Sequence, residues 1–304
     1  MEATDESPIL LTYRILDEPV VIAVPQLDAA TAVAAMLRGF GRLDPPGMPA
    51  VNLDQGPVRR ETRDPAPYQL VRGERGGWTV DARGTRAYQD VSLAEAVVGL
   101  EWHLVFDALK STGDRLHLHG AALCEPSGAA SVLVLGASGS GKTTLALALM
   151  GRGFLPFTDD VIVIDPETLS PRTFGRAFHV DAPTRTLVAG LKRPPACDDD
   201  GLPPGHLLPS RWAEGHAPVR AIYFPTLNPG GAPSATRLSI SQAVARLLPF
   251  SATLGSAPRV ALRMASRLTA SASCYALASG DLEATADFVS AEIVRMIRDD
   301  HAAT

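Results

Sequence analysis

One glycine-rich segment constrains the fold of this chain more than any other feature. The sequence GASGSGKT at residues 136–143 matches the Walker A pattern GxxxxGK[ST] in full. An apolar run at 132–135 enters the segment, and a helical run at 144–150 leaves it. Strand, loop and helix therefore follow one another in the order that a phosphate-binding loop requires, and the sequence predicts an α/β fold around it.

The residue types of this loop suit phosphate binding. Its glycines let backbone N–H groups converge on phosphate oxygens, and the following helix adds its positive N-terminal end. Lys142, one of three lysines in the chain, is expected to reach the β- and γ-phosphates, and the Thr143 hydroxyl is expected to ligate Mg²⁺. We therefore predict that ATP or GTP is bound by Gly136, Ala137, Ser138, Gly139, Ser140, Gly141, Lys142, Thr143 and Thr144.

Phosphoryl transfer also needs carboxylates, and two acidic positions follow the loop. One is the pair Asp159 and Asp160, and the other is Asp165, which ends an apolar run at 161–164 in the manner of a Walker B strand. The proline and glutamate after Asp165 indicate a turn there. Adjacent side chains of an extended chain point to opposite sides, so one aspartate of the pair is able to hold Mg²⁺ while the other accepts a hydroxyl proton.

Residues before about 113 carry no catalytic signature, so we expect two parts, an N-terminal α+β segment over residues 1–113 and a P-loop ATP-binding domain over 114–304. In the first part we expect strands at 10–15 and 19–24, a helix at 29–37 capped by Asp28, a proline-rich loop at 41–67, a hairpin of 68–71 with 77–80, and a helix from a Ser92 capping box to about 111. In the second part we expect strands at 116–123, 131–135, 161–164, 219–224 and 274–278, a mobile loop at 194–209, and a closing helix at 281–298.

Composition argues against several other classes of protein. Acidic residues exceed basic ones by 33 to 28, a net charge of −5, whereas nucleic-acid and anionic-membrane binders normally carry a basic surplus. No apolar stretch approaches the ~20 residues that cross a bilayer, and the acidic start lacks the basic flank of a signal peptide, so we expect a cytoplasmic protein. Three distant cysteines without a C-x-x-C pair indicate neither a disulfide framework nor a zinc site.

Three segments together resemble the HPr kinase/phosphorylase family. They are the His-Gly at 119–120, the Walker loop, and GFLPFTDD at 153–160, since an Asp-Asp pair follows the lysine at this spacing in that family. Through residues 219–225 and 238–243 the chain is also similar to the HPr-kinase-like proteins encoded with ribosomally made peptides, including lasso peptides. The resemblance implies a P-loop kinase core of the HPr kinase or phosphoenolpyruvate carboxykinase type, with a mixed central sheet.

Carried over by position, the resemblance implies a role for each polar residue. Asp159 would be the general base that deprotonates a serine hydroxyl, and Asp160 and Thr143 would hold Mg²⁺. His119 would lie beside the phosphates and help to set the protonation of the catalytic acid, although a histidine on an apolar strand is equally often a satisfied core residue. His117 lies two residues earlier, on the same strand face, and is a further candidate for a polar contact.

One family feature is absent from the chain. The second signature of HPr kinases, which contributes to HPr handling and dephosphorylation, is not found between residues 166 and 190, where Arg172, Arg176 and Arg185 occur instead. We therefore do not expect HPr as the substrate, nor the reverse phosphorylase activity. Each arginine is either solvated surface or a donor to the transferred phosphoryl group.

The sequence thus predicts an ATP- and Mg²⁺-dependent kinase that phosphorylates a hydroxyl, serine above all, of a peptide or protein, as in the tailoring of a peptide natural product. Two alternatives stay open: a small-molecule kinase of the same fold, and a nucleotide-gated binding module that transfers nothing. The presence of both aspartates favours chemistry, because a switch needs only the metal ligand. The oligomeric state also stays open, with a homo-oligomer among the alternatives.

Overall fold

The computed structural model describes residues 8–42 and 66–302, which form two compact units. The first unit contains the described residues up to Ser111, together with Gly175–Ala177 and Asp199–His206. The second contains the rest of the described chain. Both combine helices with sheets of parallel and antiparallel strands, so the predicted mixed α/β class is confirmed. Most of the proline-rich loop predicted at 41–67 lies outside the described residues.

The first unit is a six-stranded sheet with two helices. Its order is β3-β1-β2-β4-β5-β6, antiparallel except where β2 meets β4. Alternate residues of the first strand are buried, because helices cover one face of the sheet. The elements are β1 (Ile9–Ile15), β2 (Glu18–Val24), α1 (Leu27–Met36), β3 (Gly41–Arg42), β4 (Tyr68–Arg72), β5 (Trp78–Ala82), β6 (Thr85–Val91) and α2 (Leu93–Lys110).

The two helix starts of this unit differ in how well the sequence predicted them. The capping box of α2 is present: the Ser92 amide donates to Glu95 Oε2 at 2.9 Å, and the Glu95 amide donates to Ser92 Oγ at 3.3 Å. The predicted cap of α1 was wrong, because α1 begins at Leu27 after an extended Gln26. Asp28 instead lies in the first turn, where its charge suits the positive helix end and its carboxylate accepts the next amide along the chain.

The second unit is built on a seven-stranded mixed sheet. The order is β10-β7-β8-β14-β16-β15, with β9 also paired to β7. β8, β14 and β16 run parallel to one another, and the other pairings are antiparallel. The strands that follow α2 along the chain, of which β11, β12 and β13 form a separate three-stranded sheet, are β7 (Leu116–Cys124), β8 (Ser131–Leu135), β9 (Leu155–Thr158), β10 (Val161–Ile164), β11 (Phe178–His179), β12 (Cys197–Asp198), β13 (His206–Pro209), β14 (Val219–Leu227), β15 (Ser234–Arg237) and β16 (Ser273–Ser279).

Helices cover both faces of this sheet, which is why β8 is apolar and buried along its whole length. Leu133 and Leu135 belong to the core beneath α5, α6 and α7, whereas Val132 and Val134 belong to the core beneath α3 and α8. The helices are α3 (Lys142–Met150), α4 (Ala182–Ala189), α5 (Ile240–Leu247), α6 (Thr253–Ser256), α7 (Pro258–Ser271) and α8 (Leu282–Ala302). A 3-10 turn, Leu248–Phe250, follows α5.

The segment predicted as a mobile loop at 194–209 is partly regular. Cys197 pairs with Pro209 and Asp198 with Leu208 in an antiparallel ladder, and β13 also joins β11 in a three-stranded sheet. The prolines that suggested a loop lie mostly outside these short pairings, and Leu208 is buried. In the part of the chain that the structure describes, no helix is long and apolar enough to span a bilayer.

Candidate functional site

The phosphate loop, residues 136–141, connects β8 to α3. Gly139 and Gly141 have φ angles of 76° and 86°, in the left-handed region that glycine adopts at no steric cost. The Gly141 carbonyl accepts the Leu145 amide at 2.8 Å and starts the helix. The first amides of α3 have no intrahelical acceptor, so they are available to an anion in the loop.

The lysine and threonine of the motif are held by partners of their own. Lys142 is buried, and its Nζ donates to the Ala137 carbonyl at 3.0 Å, which ties the lysine across the loop. Burial lowers the pKa of Lys142, and the nearby aspartates oppose that shift. The Thr143 hydroxyl donates to Asp159 Oδ2 at 2.9 Å. Thr144 follows Lys142 and Thr143, and its hydroxyl lies 3.2 Å from that of Thr184 in α4.

Asp159 is a buried carboxylate with one satisfied oxygen. Its side chain is 5% exposed, and burial raises its pKa to about 6. Oδ2 accepts from Thr143, but Oδ1 has no hydrogen-bond partner among the described residues. A buried carboxylate oxygen without a donor is costly, so this arrangement favours a cation or a proton at Oδ1.

Asp160 occupies a strained turn between β9 and β10. Its φ is 73°, and the Val161 amide donates to the Asp159 carbonyl at 3.0 Å, the two marks of a γ-turn with positive φ. The turn redirects the Asp160 side chain towards His119, whose Nδ1 lies 3.0 Å from Asp160 Oδ1. This hydrogen bond raises the pKa of His119, and both side chains are nearly half exposed. The sequence therefore specifies two acids with separate surroundings, one buried and one exposed.

The glycine that follows His119 has a steric reason to be there. A Cβ at Gly120 would lie 2.5 Å from the Val134 carbonyl oxygen and 2.6 Å from the Leu135 side chain. The Gly120 amide donates to the Asp160 carbonyl at 3.2 Å. Strand β7 therefore approaches both β8 and the Asp159–Asp160 turn closely, and this brings His119 to the acids.

The structure brings together most of the predicted site, but with one exchange. Thr143 and Asp160 were expected to share the metal; the Thr143 hydroxyl contacts Asp159 instead, while Asp160 contacts His119. The reason is the γ-turn, which directs the side chain of Asp160 towards His119. His119, Asp159, Lys142 and Thr143 therefore surround one end of the loop.

Two other candidates have structural partners elsewhere. His117 is buried, with Nε2 2.9 Å from the Thr112 hydroxyl, and burial lowers its pKa. Asp165 accepts three hydrogen bonds from Glu167 and Thr168, and those bonds lower its pKa. The turn predicted after Asp165 is therefore confirmed, and the contacts of the Asp165 carboxylate lie in that turn.

The three arginines that replace the second family signature also differ. Arg176 belongs to the first unit, where its guanidinium binds the buried Glu101 carboxylate through contacts of 2.6 and 3.2 Å. That ion pair occupies Nε and Nη2 of Arg176 and gives this arginine a structural role. Arg172 follows β10, and Arg185 lies in α4. Contact of either one with a transferred phosphoryl group stays a prediction.

The oxygens of Thr143 and Asp159 fit a magnesium ion. Within residues 8–42 and 66–302 no three His, Cys, Asp or Glu side chains cluster as a metal site would. Mg²⁺ is commonly held by one or two protein oxygens together with substrate phosphates. A threonine hydroxyl beside a carboxylate with an unpartnered oxygen is a donor set of that kind.

A cavity of about 560 Å³ lies on the other side of the loop, and no sequence pattern predicted it. Its walls come from the loop itself, the end of β14, α5 and the 3-10 turn. The lining residues are Leu135, Gly136, Ala137, Ser138, Gly139, Ser140, Phe224, Pro225, Thr226, Leu227, Arg246 and Phe250. Residues that are distant in sequence form it, so no local pattern marks it.

No protein-family model matches this chain, and no curated protein matches it significantly. The family resemblance therefore rests on the motif residues. The geometry of the site is the basis for the proposed function.

Proposed function

We propose that this chain is an ATP- and Mg²⁺-dependent kinase that transfers the γ-phosphoryl group of ATP to a hydroxyl, serine above all, of a peptide or protein. One observation carries the proposal: a Walker loop ends at a threonine whose hydroxyl contacts a buried aspartate, and a second aspartate beside it is exposed and paired with a histidine. A nucleotide-binding loop alone would need the first contact. The second supplies the polar group that transfer to an acceptor requires.

In this proposal the phosphate end of ATP lies against the loop amides and Lys142 Nζ. Nζ exchanges its present contact with the Ala137 carbonyl for phosphate oxygens, at no loss of burial. Thr143 would hold Mg²⁺ through Oγ1 and Asp159 through Oδ1, because Asp159 Oδ1 accepts no hydrogen bond from a described residue. When bound, Mg²⁺ supplies positive charge that stabilises the charge spread over the transferring phosphoryl group.

Asp160 is the better placed of the two aspartates to receive the acceptor proton. A general base must reach a hydroxyl that arrives from solvent, and the side chain of Asp160 is 47% exposed whereas Asp159 is buried. The acceptor oxygen forms a bond to the γ-phosphorus, the bond from that phosphorus to the β–γ bridging oxygen breaks, ADP leaves, and the hydroxyl proton passes to Asp160. His119, whose Nδ1 lies 3.0 Å from Asp160 Oδ1, orients that carboxylate.

The acceptor class and the fold type belong to the same proposal. The mixed sheet, the Asp-Asp turn and the preceding His-Gly strand support a core of the HPr kinase or phosphoenolpyruvate carboxykinase type. The similarity to kinases encoded with ribosomally made peptides supports a peptide acceptor, as in natural-product tailoring.

An ATP-consumption assay with Mg²⁺ and the peptides encoded by neighbouring genes tests the proposal, with the peptide mass as the readout. We expect a mass gain of one phosphate on a peptide, absent with Lys142→Ala and retained with Lys192→Ala, an exposed lysine of the same unit. Tight ATP binding without transfer to any peptide would contradict the peptide-kinase proposal. Transfer to a small molecule in a cell extract would then favour the small-molecule kinase, and no transfer at all would favour the nucleotide-gated module.

A further inference from the structure

The cavity beside β14 and the acids beside β7 flank the loop on opposite sides. In the sheet, β7 and β14 are the two neighbours of β8, the strand that enters the loop. His119 lies on β7, and the Asp159–Asp160 turn pairs with β7 through Gly120. The cavity is lined by the end of β14. A ligand that crosses the loop from one side to the other therefore meets polar groups first and this cavity second.

The end of β14 runs along the loop at close range. If Gly136 carried a Cβ, that atom would lie 3.7 Å from Pro225 Cδ. A Cβ at Gly141 would lie 3.6 Å from Leu227 Cδ2. Leu227 is 58% exposed, which is unusual for a leucine that ends a buried strand. Its exposed side chain and the loop glycines form one continuous surface that leads into the cavity.

The walls of the cavity are apolar, with few polar groups. Phe224 and Phe250 contribute aromatic rings, and Pro225 and Leu227 add aliphatic surface. The cation is Arg246, which is exposed and makes no hydrogen bond or ion pair with a described residue. The aromatic and aliphatic side chains at the end of β14 and in the 3-10 turn, with one arginine beside them, suit a planar, acceptor-rich heterocycle rather than a further phosphate.

We propose that this cavity binds the nucleoside end of the nucleotide, so that Phe224–Leu227, Arg246 and Phe250 determine nucleotide selectivity. The inference rests on the proposed function, because that function sets the direction of the triphosphate. The γ-phosphoryl group faces Asp160 on the β7 side. The β- and α-phosphates then follow the loop towards β14, and the base leaves the loop where the cavity begins. Stacking on an aromatic ring tolerates either purine, and Arg246 donates to base or ribose acceptors.

Two variants test this without disturbing the core. Thr226→Trp places an indole in the cavity from an exposed strand position where a large aromatic residue is well accommodated, and Arg246→Ala removes the cation. The matched controls are Thr236→Trp on the exposed edge strand β15 and Arg263→Ala on α7, neither of which lines the cavity. Calorimetric titrations with ATP and with inorganic tripolyphosphate, both with Mg²⁺, compare the whole nucleotide with its phosphate part alone.

We expect wild type to bind ATP more tightly than tripolyphosphate. Thr226→Trp should weaken ATP binding about tenfold or more and Arg246→Ala by several-fold, while tripolyphosphate binding stays within twofold and both controls match wild type. Unchanged ATP affinity in both variants would overturn the inference, as would an equal loss for ATP and tripolyphosphate. A raised KM for the peptide with unchanged ATP affinity would assign the cavity to the acceptor instead.

The same titrations separate this inference from the proposed function. If wild type binds tripolyphosphate and ATP equally well, the nucleoside contributes nothing and the inference fails while the phosphate loop stands. If wild type binds neither, both fail together.

Discussion

The two sides of the phosphate loop are built from different chemistry. Towards β7 lie a buried aspartate, an exposed aspartate and a histidine, each with a specific partner. Towards β14 lie aromatic and aliphatic side chains and one arginine around a cavity. The polar side depends on a few atoms at hydrogen-bond distance, whereas the apolar side depends on shape and area. Substitutions should therefore act sharply on the first side and gradually on the second.

Lys142→Ala should affect both sides at once and have the largest effect. Lys142 Nζ contacts the Ala137 carbonyl of the loop. Its loss would remove the positive charge beside the bound phosphates, whichever side of the loop the rest of the ligand occupies. We expect a fall of about 10²–10³-fold in transfer rate, as for loss of a donor that stabilises transition-state charge. Titration of ATP and tripolyphosphate should show both weakened together, with Lys192→Ala as the control, and normal binding of both would contradict the Walker assignment.

Substitutions of the two aspartates on the polar side should have different effects, one on the transfer rate and the other on ATP binding. Asp160→Asn should lower the transfer rate about 10²–10⁴-fold, the usual contribution of general acid–base catalysis, with ATP affinity within a few-fold of wild type. Asp159→Asn should weaken ATP binding in the presence of Mg²⁺ and leave binding in its absence little changed. Single-turnover rates and titrations with and without Mg²⁺ measure both. The reverse pattern would make Asp159 the base, as the family resemblance implies.

His119 should have a smaller effect, confined to the rate. It contacts Asp160 through Nδ1, so we expect it to act by holding that carboxylate in position. We expect His119→Ala to lower kcat about tenfold with an unchanged dissociation constant for ATP, and His119→Gln, which keeps a donor, to restore part of the rate. Equal rates in the alanine and glutamine variants would argue against this positioning role.

His117 should show the smallest effect, on stability and not on transfer. Burial lowers its pKa in the folded protein, so the unfolded chain binds a proton at higher pH than the folded chain does. The stability of wild type should therefore decline as the pH falls below the ordinary histidine pKa, by about 1.4 kcal/mol for each unit by which the pKa is lowered. Urea denaturation of wild type and His117→Gln at pH 7.5 and 5.5 measures it, and a wild-type curve no steeper than that of the variant would contradict the assignment.

The polar side was largely predictable from sequence and the apolar side was not. The residues of the polar side lie in short motifs, such as GASGSGKT and the Asp159–Asp160 pair, whose chemistry depends on adjacent positions. The contacts of the two aspartates escaped prediction because they follow from the positive φ of Asp160, and alternation along an extended strand describes only regular backbone. Which aspartate acts as the base stays a prediction. The cavity depends on tertiary contacts among β14, α5 and the loop.

Outside the site, the elements differ in how well the sequence predicted them. Strand β8 was predictable because an uninterrupted, buried apolar run has few other uses. Helix α7 was not predicted, although its buried residues Ala261, Met264, Ala265 and Leu268 recur at helical spacing. Arg176 resembled a surface arginine because its partner, Glu101, is distant in the sequence and lies outside any local window.

The backbone at Asp160 limits which residues can stand there. With φ at 73°, glycine and asparagine fit with the least strain, so the two replacements that best preserve the fold are also the two that remove the carboxylate. Either arises from aspartate by a single-base change in the codon. Under the role proposed for Asp160, one mutation would therefore separate nucleotide binding from most of the phosphoryl transfer while the fold is kept.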